Sequence, residues 1–390
     1  MKFTNDKVKI HSSSIINNIS KCSINYIISN ILKNNKIKIA LYIVDSNFEI
    51  ELFEKEIKFF YPDINILKFP EWNTIPYDVN SPRIEIQSER IKTLYKLVNY
   101  NNFYKEQKTI VITTKKSILQ KIINRIDLNY IKLSLNQNIT IYELEKKLIS
   151  NCYTKTQTSR NTGDYSINSN IIDIVSFNNE SYRITLNNNS IKEIKFFNTD
   201  TQISYGKIDD ILILPIREVV YNQENIENFK LNYRNIFGIP TDSDILYKNI
   251  SNNILYNGFE NWLPLFYKNN LEIIFDYLPK NTYILYTNRF LNELDSIYSN
   301  IINYYQLRCE ENKTLKNKSI YNPIQPQTFY IDNTMFLSFL KNYNNIIFDI
   351  DNNLSLSDYN YISYNSKDIP NFIQNSKETF ILLKEYLDTL

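Results

Sequence analysis

Few residues in this chain are placed to do covalent chemistry. Its single histidine, His11, stands beside Ser12, Ser13 and Ser14. A histidine next to hydroxyls suggests a general base activating a nucleophile, but the polar N-terminal setting predicts a solvated side chain. Asp349 and Asp351 close the run Asn344 to Asp351 much as a magnesium-holding acidic pair closes a nucleotide-binding strand. Such a pair works beside a phosphate loop, G-x-x-x-x-G-K-[ST], whose backbone N–H groups and Lys cradle phosphates. The one Gly-Lys pair, Gly206-Lys207, lacks the preceding glycine and is followed by Ile208. Asp349 and Asp351 therefore read as a polar strand end. With four glycines a G-x-S-x-G elbow cannot be written either. Cys22, Cys152 and Cys309 are odd in number and far apart, which argues against a disulfide framework and against zinc, and for buried small hydrophobes. The sequence predicts no catalytic site, no cofactor and no metal.

Composition narrows the class further. At 390 residues the chain exceeds what one core usually supports, so two or three domains are expected. No apolar run approaches the roughly 18 residues that span a bilayer, and no leader is recognisable at the start, so the expected location is cytoplasmic. Net charge is +2, which supplies no global field toward nucleic acid. The 31 Tyr set among Lys suggest a stacking surface for single strands. The joint excess of Asn, Lys, Ile and Tyr, all with AT-rich codons, produces the same pattern without any function. Average usage would give about 27 glycines. With four, turns that need positive φ must fall mostly on Asn, and the fold is expected to be marginal in stability.

The elements follow from periodicity. Residues 1 to 35 carry a helical pattern through Ile15, Ile19, Ile24, Ile27, Ile28, Ile31 and Leu32. Lys36 to Val44 reads as a buried strand, followed by a helix to Phe60 and a strand from Ile64 to Phe69. Phe69 leads into Pro70-Glu71-Trp72-Asn73-Thr74-Ile75-Pro76-Tyr77-Asp78-Val79-Asn80-Ser81-Pro82-Arg83, an aromatic turn ahead of a helix for which Ser81 is the expected N-cap and Pro82 a first-turn residue. Ile84, Ile91, Leu94, Tyr95 and Val98 give that helix an apolar stripe. Thr109 to Thr114 is a short β-branched strand. Strands alternating with helices imply a RecA-like or doubly wound parallel sheet. After residue 127 the texture changes. A helix at 139–149 precedes short alternating strands at 164–167, 171–175, 182–186, 191–197 and 208–214, a small and mostly antiparallel sheet. Residues 220 to 279 read as helices and loops packed on aromatics, Thr282 to Tyr286 as a strand, Pro323 and Pro326 as a linker, and Asn344 to Asp351 as a strand rejoining the first sheet.

Three strings carry a resemblance. The Phe69 to Arg83 stretch is similar to the "DWETLPYD…SP…R" signature of the bacterial transcription-repair coupling factor (Mfd) family. Gly163-Asp164-Tyr165, Ile171-Ile172-Asp173-Ile174, Ser181-Tyr182-Arg183-Ile184 and Phe197-Asn198-Thr199-Asp200-Thr201-Gln202 resemble its "GEYxxRGxxxDxF … PYRxDFFxDEIxSIRxFDxxTQ". Trp262-Leu263-Pro264-Leu265-Phe266-Tyr267 and Phe275-Asp276-Tyr277-Leu278-Pro279 look like "YxPLFF … LFDYLP". The order and separations match over roughly residues 1 to 380.

The resemblance implies a UvrB-like module: a RecA-like domain without a phosphate loop (1–127 with 335–390), a small UvrA-docking-type α+β domain (128–214) and a helical, aromatic third domain (215–334). It implies a non-catalytic adaptor for UvrA in transcription-coupled nucleotide excision repair. The family's ATP-driven translocase motor and RNA-polymerase-binding domain lie C-terminal to this module, so neither activity is expected of these 390 residues. UvrB's long DNA-clamping hairpin has no counterpart between Tyr77 and Arg90, so DNA contact is expected to be weak or indirect. Carried over residue by residue, the docking face comprises Tyr165, Asn168, Ser169, Arg183 and Asn187. Asn168 and Ser169 replace the family's Arg-Gly, Asn187 replaces a Phe, and Arg183 keeps its type. Losing an Arg and a Phe anchor costs about 2 kcal/mol each, or roughly 1000-fold if additive. In the full-length family this face is masked by C-terminal parts, so exposure and unregulated binding are expected here. The alternative functions are a sequence-independent nucleic-acid binder and a degenerate product with little activity.

Overall fold

A computed structural model describes residues 12–104, 107–177, 180–314, 321–364 and 366, and the single positions 381, 384 and 388. In chain order the first elements are β1 (Ser14–Asn17), α1 (Ile24–Asn34), β2 (Ile39–Val44), α2 (Asn47–Phe60), β3 (Asn65–Phe69), α3 (Ile84–Val98), α4 (Tyr100–Phe103) and β4 (Thr109–Thr114). There follow β5 (Ile131–Ser134), α5 (Ile141–Ser150), β6 (Thr154–Lys155), β7 (Asp164–Asn168), β8 (Ile171–Val175), β9 (Ser181–Asn187), β10 (Ser190–Phe197), β11 (Ser204–Lys207) and β12 (Asp210–Ile213). The remainder comprises α6 (Gln223–Phe237), α7 (Ile245–Ser251), α8 (Leu263–Phe266), α9 (Ile274–Tyr277), β13 (Tyr283–Thr287), α10 (Asn288–Thr314), α11 (Pro326–Phe329), α12 (Asn333–Leu340), β14 (Asn344–Phe348) and β15 (Asn360–Ser363).

Seven strands form one sheet in the order β15-β1-β14-β13-β2-β4-β3, with every pair parallel. Both faces are covered, which is why β2 and β4 are apolar or β-branched throughout and buried at every position. On one face Tyr42, Ile110, Leu285 and Phe348 pack with Ile27, Ile31 and Phe53 of α1 and α2. On the other, Leu41, Phe69, Val111 and Tyr286 join Ile91 and Leu94 of α3 and Leu294 of α10. The sheet is thus α/β and parallel as expected, with β14 inserted between β1 and β13.

Several local expectations are overturned. Ile15 is not helical: Ser14–Asn17 is a strand, because its backbone is taken up by β14 and β15 on either side, and Ile15 and Ile16 fill opposite faces. Ser81 does not cap α3, which begins at Ile84. Its hydroxyl is spent on Glu260, to which it donates, and on the Gly258 N–H, from which it accepts. Val98 leaves the buried stripe and is exposed, while Leu97 takes the inward position. The expected strand at 208–214 shortens to β12 and pairs with β5 instead of joining the small sheet. Pro326 opens α11 and is buried, and Phe329 of that helix packs on Trp72, so this stretch is no free linker. β13, inside the span allotted to the third domain, is a central strand of the parallel sheet. Cys22 is exposed, not buried. His11 lies outside the described residues.

The small sheet has the order β11-β10-β9-β8-β7-β6, antiparallel except between β6 and β7. Asn does supply the positive-φ turns. Asn188 and Asn189, at φ 48 and 61, form the two-residue β9–β10 turn. Tyr77, a bulky residue at φ 62, is held there by Asn261, which accepts from its N–H, and by Arg308, which donates to its carbonyl.

Candidate docking surface

Strand parity divides the small sheet into two faces. Tyr182 and Ile184 of β9 register against Ile174 and Ile172 of β8, Leu186 registers against Ile191 of β10, and all point into the core. The alternate residues form the outer face. One row across it runs Ser166, Asp173, Arg183, Lys195 and Lys207, and the next runs Asn168, Ile171, Thr185 and Glu193. Asn187 lies one pair further along β9, exposed beside its turn.

Arg183 is the fixed point of this face. Its Nε and Nη2 donate to the two oxygens of Asp173 at 2.7 and 2.8 Å, a bidentate fork. Its Nη1 donates to the Gln202 carbonyl and the Ser204 hydroxyl, both at 3.1 Å, and the guanidinium stands 5.2 Å from the centre of the Phe197 ring. The hydrogen bonds to Asp173 raise its pKa still further, so it stays charged. Glu193 pairs with Lys195 and Lys207, each at 2.7 Å, and these bonds hold its carboxyl below the usual range. The face therefore presents compensated charge with uncharged amides and a hydroxyl between, suited to hydrogen-bonded docking rather than to capture of a strong polyanion.

Four of the five residues expected at this site do come together. Asn168, Arg183 and Asn187 share the outer face, and Ser169 sits in the β7–β8 turn at its margin with φ 52. Tyr165 does not. It is 1% exposed, registers with Ile174 on the inner face, and donates its hydroxyl to Glu145 of α5. The residue is an odd number of positions from Asn168 along β7, so the pleat sends it to the opposite side. Sequence reasoning missed Asp173, Thr185, Glu193 and Lys195. Their alternation in the strands was readable, but only cross-strand register places them beside Arg183.

The chemistry-bearing candidates elsewhere are engaged in structure. Asp349 accepts from the Asn288 amide and from the N–H groups of Asn353 and Leu354, and Asp351 pairs with Arg289 at 2.6 Å. Gly206 forms a bulge in edge strand β11, not a strand-to-helix loop. Cys152 is buried among apolar groups, which pushes its thiol up to about 12.

The aromatic turn holds the small sheet to the large one. Arg90 is fully buried, and five hydrogen bonds use its N–H groups: two to Glu218, and one each to Pro70 O, Ser117 Oγ and Gln120 Oε1. Glu218 also accepts from Trp72 Nε1 at 2.7 Å. The neighbouring residue reaches the other way: Arg217 donates to the buried Glu260, which also accepts from Gln87 and Ser81. Two adjacent residues of opposite charge thus bind the end of the small domain to α3 and to the third region.

Residues 131–218, the span from β5 to this junction, match the family model described as the UvrB interaction domain. Over 339 residues, 84% of this chain, the sequence is 32% identical to the transcription-repair-coupling factor of Rickettsia bellii, and it is 32% identical over 331 residues to that of Rickettsia conorii. Over most of its length this chain is thus similar to transcription-repair-coupling factors. It corresponds to the N-terminal portion of the family's proteins and spans about 29% of the length of these two. The Escherichia coli member is 26% identical over 230 residues, which is 58% of this chain and 20% of that protein. Among the described residues no helix is long and apolar enough to cross a membrane.

Proposed function

We propose that this chain is a non-catalytic adaptor that presents the outer face of its small sheet to UvrA in transcription-coupled nucleotide excision repair. One observation carries the reading: the span matched as a UvrB interaction domain folds into a sheet whose outer face is exposed at Asn168, Asn187 and Lys207. Docking residues in this reading are Arg183, held upright by Asp173, and the uncharged groups of Asn168, Ser169, Thr185 and Asn187 around it. The sheet domain and the third region serve as the rigid base, joined to the docking domain through Arg217 and Glu218. No translocase activity is assigned to these residues, since no phosphate loop can be written in the sequence.

The test is binding of this chain to the UvrA of the same organism, with Arg183→Ala alongside. A complex in the micromolar range, weakened at least tenfold by the substitution, is the expected result. Absence of any complex at tens of micromolar would refute the adaptor reading. Calorimetric titration with ATP supplies the second arm, because a saturable heat would return nucleotide chemistry to this chain.

A further inference from the structure

The third region contains a groove that the docking reading leaves unused. It encloses about 550 Å³ between the end of α6, the loop through Ile239 and Pro240, and α7. Two cations line it, Arg234 and Lys248, and among the described residues neither forms an ion pair. Arg90, Arg125, Arg183, Arg217, Arg289 and Arg308 all do, whereas Arg234 shares its unpaired state with Arg83 and Arg160. The Arg234 guanidinium lies 5.4 Å from the centre of the Tyr247 ring, which orients its plane and leaves its donors without a described acceptor.

The groove wall holds two further unmet groups. The hydroxyls of Tyr247 and Ser251, four residues apart and therefore on one face of α7, are shielded from solvent and have no hydrogen-bond partner. Opposite them Ile239 is 92% exposed and stands next to Pro240, an apolar rim with nothing packed on it. Asp242 is the one carboxylate lining the groove. Asp244 is spent inside the fold, where it accepts from the Tyr247 N–H and the Tyr233 hydroxyl. The accessible lining therefore carries a single net positive charge and an apolar edge.

We propose that this groove binds a single carboxylate carried on an apolar body, the carboxylate on Arg234 and Lys248 and the body against Ile239 and Pro240. A planar guanidinium with paired N–H groups matches a carboxylate in geometry, and the lone net charge balances a monoanion better than a dianion.

Titration of the full chain with N-acetyl-leucine, followed by calorimetry or ligand-observed NMR, tests the assignment. Saturable binding is expected, at least tenfold weaker for the uncharged N-acetyl-leucine amide and for Arg234→Gln and Lys248→Gln. Equal binding of the amide would overturn the proposal, as would an affinity unchanged in both variants or tighter binding of inorganic phosphate. Both substituted side chains are exposed, so the variants should melt with the parent protein. If either fails to fold, the comparison of acid, amide and phosphate on the parent chain decides the matter alone.

Discussion

Removing the Glu218 carboxylate should unfold the junction from within. Glu218→Ala takes the acceptors of two Arg90 bonds and of the Trp72 indole N–H at once, in a site where Arg90 is 0% and Glu218 1% exposed. Breaking one side of a buried ion pair typically costs 3–5 kcal/mol, because the remaining charge cannot reach water. The orphaned indole adds about 1 kcal/mol or more. Together these take about 4–6 kcal/mol from a fold whose whole stability is of order 5–15 kcal/mol. Glu218→Gln keeps the shape and one acceptor, loses the charge, and should cost about 2–3 kcal/mol. Replacing the pair by apolar residues would not restore stability here, since Arg90 also serves Pro70 O, Ser117 and Gln120. Urea unfolding followed by circular dichroism and tryptophan emission measures the differences. A loss below about 1 kcal/mol for Glu218→Ala would show that water reaches Arg90 and that the junction is not a buried charge cluster.

Other consequences follow from backbone and titration. Ser169 occupies the left-handed region at φ 52, so Ser169→Gly should stabilise by about 1 kcal/mol, read as a raised urea midpoint, and a lowered midpoint would contradict the turn geometry. Gly258 has φ 80, and a Cβ there would lie 2.7 Å from the Val79 carbonyl oxygen; Gly258→Ala should cost about 2 kcal/mol or more in the same assay. Cys22 is exposed and should react rapidly with a thiol reagent at pH 8 in the native protein, whereas Cys152 should react only on unfolding. The raised Cys152 pKa also fixes a sign. Between the ordinary value of 9.0 and about 12 the unfolded chain releases a proton that the native one keeps, so stability is full below pH 9 and falls as pH rises through that window. Buried tyrosines such as Tyr153 and Tyr267, raised by desolvation, act in the same direction. A flat stability profile from pH 8 to 11 would refute this account.

Legibility differed by the kind of interaction. The sequence reading of β4 and β8 matches their observed bounds, and that of β2 starts three residues early, because their hydrophobic pattern is set by covered faces and needs no partner to be seen. β1 was misread because four residues with buried neighbours look alike in a helix and in a strand, and only pairing with β14 and β15 chooses. Ser81 had the chemistry of a cap, but the distant Glu260 and Gly258 competed for its hydroxyl. Of the proposed docking residues, Asn168, Arg183 and Asn187 share one face of the small sheet. Tyr165 was lost on parity, and Asp173 was missed because its place beside Arg183 depends on register.

What the sequence determined was local and cumulative: alternation, apolar runs, Asn at turns lacking glycine, and the missing phosphate loop, each set by a residue and its near neighbours. It also singled out the aromatic turn from Phe69 to Arg83, which holds Trp72. Tertiary structure alone decided what that turn and Arg90 are for. Glu218 lies 128 positions from Arg90, and no periodicity links them. Their meeting depends on the fold excluding water around both, since that exclusion turns two ordinary side chains into a junction that neither can leave alone.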